Sequence, residues 1–381
     1  MATELTASDA SASDVAWDIA PLLGDETVEQ MLDRAAGLAT DLGHYRGRIG
    51  DLDVVGMAAL MSAVADIHDA IGRAGSFAGL QFAVDTSDGA TYQLVQERGA
   101  QISNDMLFID LEWAAVEDDH AEALLASDEL AFCAHHLRST RRYRTHLLSE
   151  PEEKILTEKD VTGSSAWVRL FDQLTSDIDV ELDGEPVSLE QSLSQLASPD
   201  RDSRRSAAAA VTAGLQPGIE TRAFVFNTLA ADKATDDRLR SYPSWISSRN
   251  LANEATDESV QALVDAVVGR YDLPQRWYRL KAQILGYPLA DYDRMASVAD
   301  TESEIGWQQA KDIVLDSYAS FSDELASTAS KFFDGWIDAP MRENKRPGAF
   351  CAYTVPSHHP YVLLRWSGRN RVVLTLAHGL G

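Results

Sequence analysis

Apolar residues recur at steps of three and four over the first third of the chain. Val28, Met31, Leu32, Ala35, Ala39, Leu42 and Tyr45 make one such set, and Leu60, Val64, Ile67, Ile71 and Ala74 a second. A helix turns once in about 3.6 residues, so this spacing gathers the apolar side chains on one face. Similar runs over residues 92–113 and 121–137 predict a third and a fourth helix. Four amphipathic helices in succession predict a side-by-side bundle.

Between residues 176 and 189 the period drops to two. Ile178, Val180 and Leu182 share a face, Asp183-Gly184 interrupts, and Val187 and Leu189 follow. Alternation broken by Asp-Gly predicts a β-hairpin, with Pro186 restricting its second strand to an edge. The Ser-Pro break in LASPDRDSRRSAAAA, residues 196–210, places a boundary near Pro199. Beyond it, Thr256 is set to cap a helix with Asp257 and Glu258 in its first turn and a stripe of Val260, Leu263, Val264, Val267, Val268 and Tyr271. Pro274 then stops or restarts the helix. Trp307, Ala310, Val314, Tyr318, Phe321, Leu325, Phe332 and Trp336 predict one or two more helices. From residue 343 helical spacing gives way to Gly, Pro and β-formers. GAFCAYTV and YVLLRW read as short strands around a turn at Pro356, and Asn370 is set to cap a last helix carrying Val373, Leu374, Leu376, Ala377 and Leu380.

Composition narrows the function classes. With 45% hydrophobic and 24% charged residues, the 381-residue chain is globular in make-up and long enough for two or more cores. Its 60 acidic against 33 basic residues give a net charge of -27, a field that repels phosphate backbones, so no nucleic-acid partner is expected. Cys133 and Cys351 stand far apart, which speaks against a disulfide framework and for a reducing compartment. The leader MATELTASDASASDVAWDIA lacks the basic and apolar stretches of a secretory signal, and nowhere do 18 uncharged apolar residues run together. A cytoplasmic protein with no membrane span is therefore expected.

Residues 373–381 read VLTLAHGLG. Zincin-type peptide hydrolysis sets two His four residues apart on one helix, so that both rings reach one metal, with the Glu general base directly after the first His. From His378 the second His would fall at position 382, outside the sequence, and position 379 is Gly. On spacing alone, a lone His on an apolar helix is a core residue. Other His groups offer no better metal site: His135 and His136 diverge by about 100° on a helix, and His146 brings no carboxylate at suitable spacing. The basic island LRSTRRYRTH, residues 137–146, reads as partners for nearby carboxylates, and both Cys as small buried side chains.

Taken in order, GAFCAY, SHHPYVLLRW and VLTLAHGLG resemble the oligoendopeptidase F branch of the thimet oligopeptidase family, zinc metallopeptidases that cleave short peptides. LSEPEEKILTEKDVTGSSAWVRLFDQL, RYDLPQRWYRLKAQILGYPLADYDRMA and FFDGWIDAPMRENKRPGAF extend the likeness upstream. Arg365 and Val372 depart from it, standing where Asn and Asp are expected. The resemblance implies a mainly α, multi-helical, elongated zincin-type peptidase fragment with a β-hairpin and a small sheet near its carboxyl end. It implies an amino-terminal helical region (1–115), an oligopeptidase F type helical domain with the hairpin (116–198) and the first part of a peptidase domain (199–381). His378 becomes the one matched zinc ligand, and Gly379 occupies the place of the catalytic Glu. His359 and Tyr361 become candidates for substrate contact beside a strand that pairs with extended peptides. The expected partner is a short peptide. The expected state of this chain is inactive and zinc-free, cut within the zinc motif, with apolar surface uncovered. A non-catalytic helical peptide-binding protein or a degenerate fragment is the alternative.

Overall fold

The structure, a computed structural model, describes residues 6–298 and 304–381. The short α1 (Ala7–Ser11) precedes α2 (Val28–Asp41), α3 (Val54–Val84), α4 (Ala90–Ala115), α5 (Asp118–Leu125) and α6 (Ala134–Arg141). Helices α2–α6 enclose one core that includes Met31, Leu32, Leu60, Ile67, Trp113 and Leu137. Thr27 and Gln30 cap α2 reciprocally, and the buried Trp113 Nε1–H donates to the Leu137 carbonyl at 2.8 Å. Helix α3, at 31 residues, is long and apolar enough by composition to cross a bilayer, yet its Met57, Leu60, Ile67 and Ala74 line is buried inside the bundle. The single helix expected over 121–137 is instead two. Ser127 accepts a hydrogen bond from the Glu129 N–H and opens a 3₁₀ turn at Asp128–Leu130, which breaks the run.

Helices α7 (Glu150–Thr162) and α8 (Ser164–Ser176) lead into the hairpin of β1 (Asp179–Leu182) and β2 (Glu185–Ser188), antiparallel with Val180 opposite Val187. Asp183 and Gly184 both take positive φ, 53° and 91°, the geometry that a two-residue hairpin turn requires. Next come α9 (Leu189–Gln195), α10 (Arg201–Leu215), α11 (Ile219–Leu239) and α12 (Ser247–Ala252). Asp293 is fully buried and bonded by Arg201 and Arg204 of α10 at 2.9 Å each. Burial pushes its carboxyl up, but hydrogen bonds from the Ala290 N–H and the two guanidinium groups prevail and hold it below the usual carboxylate range.

Helices α13 (Asp257–Val268) and α14 (Asp272–Leu285) begin as the sequence requires. Thr256 accepts from the Ser259 N–H at 3.1 Å, and Pro274 lies in the first turn of α14. Their apolar residues nonetheless face solvent. Leu263 is 66% exposed, and Val264, Val267, Val268, Trp277, Leu280 and Ile284 are exposed with it.

The last third holds α15 (Trp307–Ala319), α16 (Asp323–Ser330), a three-stranded sheet and α17 (Asn370–Leu380). The strands β3 (Ile337–Asp338), β4 (Phe350–Ala352) and β5 (Tyr361–Leu363) run in the order β3-β5-β4, with β3 parallel and β4 antiparallel to β5. One face of the sheet packs on α15 and α17 through Val362, Leu364, Trp366, Val314, Leu376 and Leu380. The other meets the amino-terminal bundle, where Tyr361 packs with Leu22 and Leu80. The fully buried Lys345 Nζ faces Asp338 Oδ1 at 2.6 Å and the carbonyls of Pro340 and Leu364 at 2.8 and 2.7 Å, joining the ends of β3 and β5. Burial pulls the Lys345 ammonium down to about 8 despite the attraction of Asp338.

Candidate functional site

Helix α17 takes Arg369 at its N-cap position, one residue before the expected Asn370 and without a side-chain cap, and buries Val373, Leu376 and Leu380 on one side. Its opposite side carries Leu374 and His378, both exposed. His378 makes no hydrogen bond or ion pair among the described residues, so its ring lies open to solvent rather than boxed into the core. A Cβ on Gly379 would lie 3.7 Å from Val362 Cγ1, ordinary contact, so position 379 faces β5 with room for a side chain. The Tyr318 hydroxyl donates to the Ala377 carbonyl and pins this turn to α15. Among the described residues no three His, Cys, Asp or Glu side chains are grouped to hold a metal ion. The donor set for zinc is not assembled around His378.

Strand β4 forms the outer edge of the sheet. The Val362 N–H donates to the Trp336 carbonyl, and the Leu364 N–H to that of Asp338, each at 2.8 Å, so these residues of β5 face β3. The pairs Phe350↔Leu363 and Ala352↔Tyr361 then hold β4, and alternation turns the N–H and C=O of Cys351 outward, open to a further strand. The Cys351 side chain packs toward the α15/α17 core, and burial raises its thiol above the ordinary value. Phe350 and Ala352 point the other way, into a cavity of about 430 Å³ between α3, α4 and α8. That cavity shares Gln96, Asp160, Ser164 and Ser165 with a larger one of about 860 Å³, bordered by α7 and α11. Together they make one groove leading away from β4.

The turn after β4 is locked to the bundle. Val355 fills the space beside Gly72, where a Cβ would come within 2.4 Å of its Cγ1, and the Ser357 hydroxyl donates to Asp69. His359 stacks on Trp336, centroids 3.8 Å apart and planes at 6°, with its Nδ1 3.1 Å from the Pro360 carbonyl. Burial lowers its basicity, with the Pro360 contact opposing. Tyr361, expected against substrate, is fully buried and donates its hydroxyl to the Asp18 carbonyl at 2.8 Å. It supports the sheet rather than facing the groove, and burial pushes its phenol up to about 12.

The remaining polar candidates are engaged elsewhere. His135 pairs with Glu254 at 2.9 Å, and His146 stacks on Tyr242. Arg141 and Arg144 share Asp118, and Arg138 lies 3.7 Å from Glu122, so the basic island serves carboxylates. Sequence reasoning missed β3 and Lys345. A two-residue strand leaves no period to read, and a lone Lys gives no sign of burial.

The family model Oligopeptidase F matches residues 112–179. Oligopeptidase PepF of Bacillus subtilis (strain 168) is 24% identical over 382 residues, covering 96% of this chain. The chain is thus similar to oligopeptidase F proteins, over residues 112–179 by the family model and at 24% identity over most of its length. It spans 56% of the length of that Bacillus subtilis protein. Among solved structures, a protein assigned as oligoendopeptidase F from Bacillus anthracis str. Ames superposes with a TM-score of 0.67 at 16% identity, over 92% of this chain and 63% of that one. Oligoendopeptidase-F from Enterococcus faecium gives 0.62 at 18%, over 80% and 62%. The mainly helical fold with a small carboxyl-terminal sheet is thus shared with oligoendopeptidase F structures.

Proposed function

We propose that this chain carries the peptide-holding half of a cytoplasmic zinc oligopeptidase architecture, and that a polypeptide of these 381 residues binds short peptides without hydrolysing them. The observation that carries the reading is the open backbone of Cys351 on the edge of β4, beside a groove and against α17, the helix that carries His378. An extended peptide adds to such an edge through its own N–H and C=O groups, which holds many sequences alike. Kinship with oligopeptidases supports peptides as the ligand class. The family's zinc chemistry calls for a pair of His four apart with a Glu between them. Among the described residues His378 has no companion ligand within reach, and Gly379 offers no base.

Elemental analysis of the purified chain should find zinc near zero, and tight stoichiometric zinc would overturn the incomplete-site reading. Gly379→Glu alone should not restore cleavage of a quenched fluorescent peptide. For binding, a capped pentapeptide should lose most of its affinity when the amide that faces Cys351 is N-methylated. Equal binding at every methylation position would rule out strand pairing.

A further inference from the structure

We propose that the cavity beside β4 is a side-chain subsite that selects a bulky aromatic residue of the bound peptide. The proposal deepens the reading of β4 as the peptide edge and rests on it. Side chains alternate along a strand, so a peptide paired with Cys351 sends every second residue toward the face occupied by Phe350 and Ala352. That face opens into the cavity of about 430 Å³. Phe82 and Tyr92, stacked with centroids 5.2 Å apart and planes at 9°, form its aromatic wall. Val168 of α8 lines the opposite side and is left 45% exposed, an apolar surface awaiting cover.

Most of the polar groups around this cavity are already spent on one another. Arg169 donates to Gln96, Ser164 and Ser165 donate to Asp160, and Arg346 pairs with Asp172 at 3.3 Å. What remains for an entering side chain is largely apolar, while Asp160 and Asp172 disfavour an acidic one. Gly79 keeps the wall open. A Cβ there would lie 3.7 Å from Tyr92 Cε2, and any longer side chain would project into the space.

The test is isothermal titration calorimetry of the 381-residue chain with Ac-Ser-Ala-X-Ala-Ser-amide peptides, X being Phe, Ala or Asp. The Phe peptide should bind about 30-fold more tightly than the Ala peptide, within the discrimination typical of apolar pockets, and the Asp peptide most weakly. Gly79→Leu should erase the Phe preference by filling the space that the ring would enter. Val168→Glu, at a solvent-exposed position that folding tolerates, should cut the preference without filling the cavity. Equal affinity for Phe and Ala peptides, or a Phe preference that survives both substitutions, would overturn the subsite while leaving strand pairing intact. Failure of all three peptides to bind would overturn the edge-strand reading, and the subsite with it.

Discussion

Gly72 shows how one missing side chain can place a whole turn. Because a methyl there would sit 2.4 Å from Val355 Cγ1, Gly72→Ala should force the turn after β4 off α3 and cost about 1–3 kcal/mol in urea unfolding. Val355→Ala in the same chain should recover much of that loss, since two residues in contact do not act independently. Lys345 offers a different test. Its folded pKa of about 8 lies below the ordinary 10.5, so between those values the unfolded chain binds the extra proton and stability rises with pH. Wild type should therefore gain stability relative to Lys345→Met as pH increases from 8 to 10, and parallel curves would refute the assignment. The exposure of His378 could not be read from spacing, which puts a lone His on an apolar helix in the core. Nor was the burial of Tyr361 legible, because an aromatic in a strand reads the same whether it faces a ligand or the leader at Asp18.

Helices were the most legible elements, since a 3.6-residue apolar stripe and a capping Thr are local signals. Those signals found α2, α3, α13 and α17 and placed the starts of α13 and α17 to within a residue, but the apolar set read for α3, Leu60 to Ala74, covers only the middle of Val54–Val84. They failed where a polar side chain competes with the helix, as Ser127 does between α5 and α6. They could not say what would cover a stripe, so α13 reads like α2 although only α2 is buried. Within α17, Gly379 is a weak point, since glycine costs a helix up to about 1 kcal/mol relative to alanine. Gly379→Ala should stabilise the chain by about 0.5 kcal/mol, less than the full value so near the helix end, with the Cβ resting against Val362. A loss of stability would mean that position 379 is tighter than its 3.7 Å clearance implies.

For the molecule as a whole, two opposing surfaces set behaviour in solution. A net charge of -27 keeps copies apart, whereas the bare apolar faces of α13 and α14 draw them together. Salt screens the first and leaves the second. Light scattering should accordingly rise in about 1 M salt, where the screening length falls to about 3 Å. The double variant Leu263→Lys/Leu280→Lys should suppress that rise without lowering the melting temperature, because neither side chain is packed in the core. Scattering unchanged by the substitutions would place the sticky surface elsewhere.

The bonds from Tyr361 to Asp18 and from Ser357 to Asp69 span 343 and 288 residues. A ribosome must therefore deliver residues 1–361 before β5, and β4 paired with it, can be clamped in place. During synthesis the amino-terminal bundle can settle early, before Asp18 and Asp69 meet their partners in the last third. The edge of β4 thus takes its place only once residues 350–363 have emerged and folded back onto the first helices.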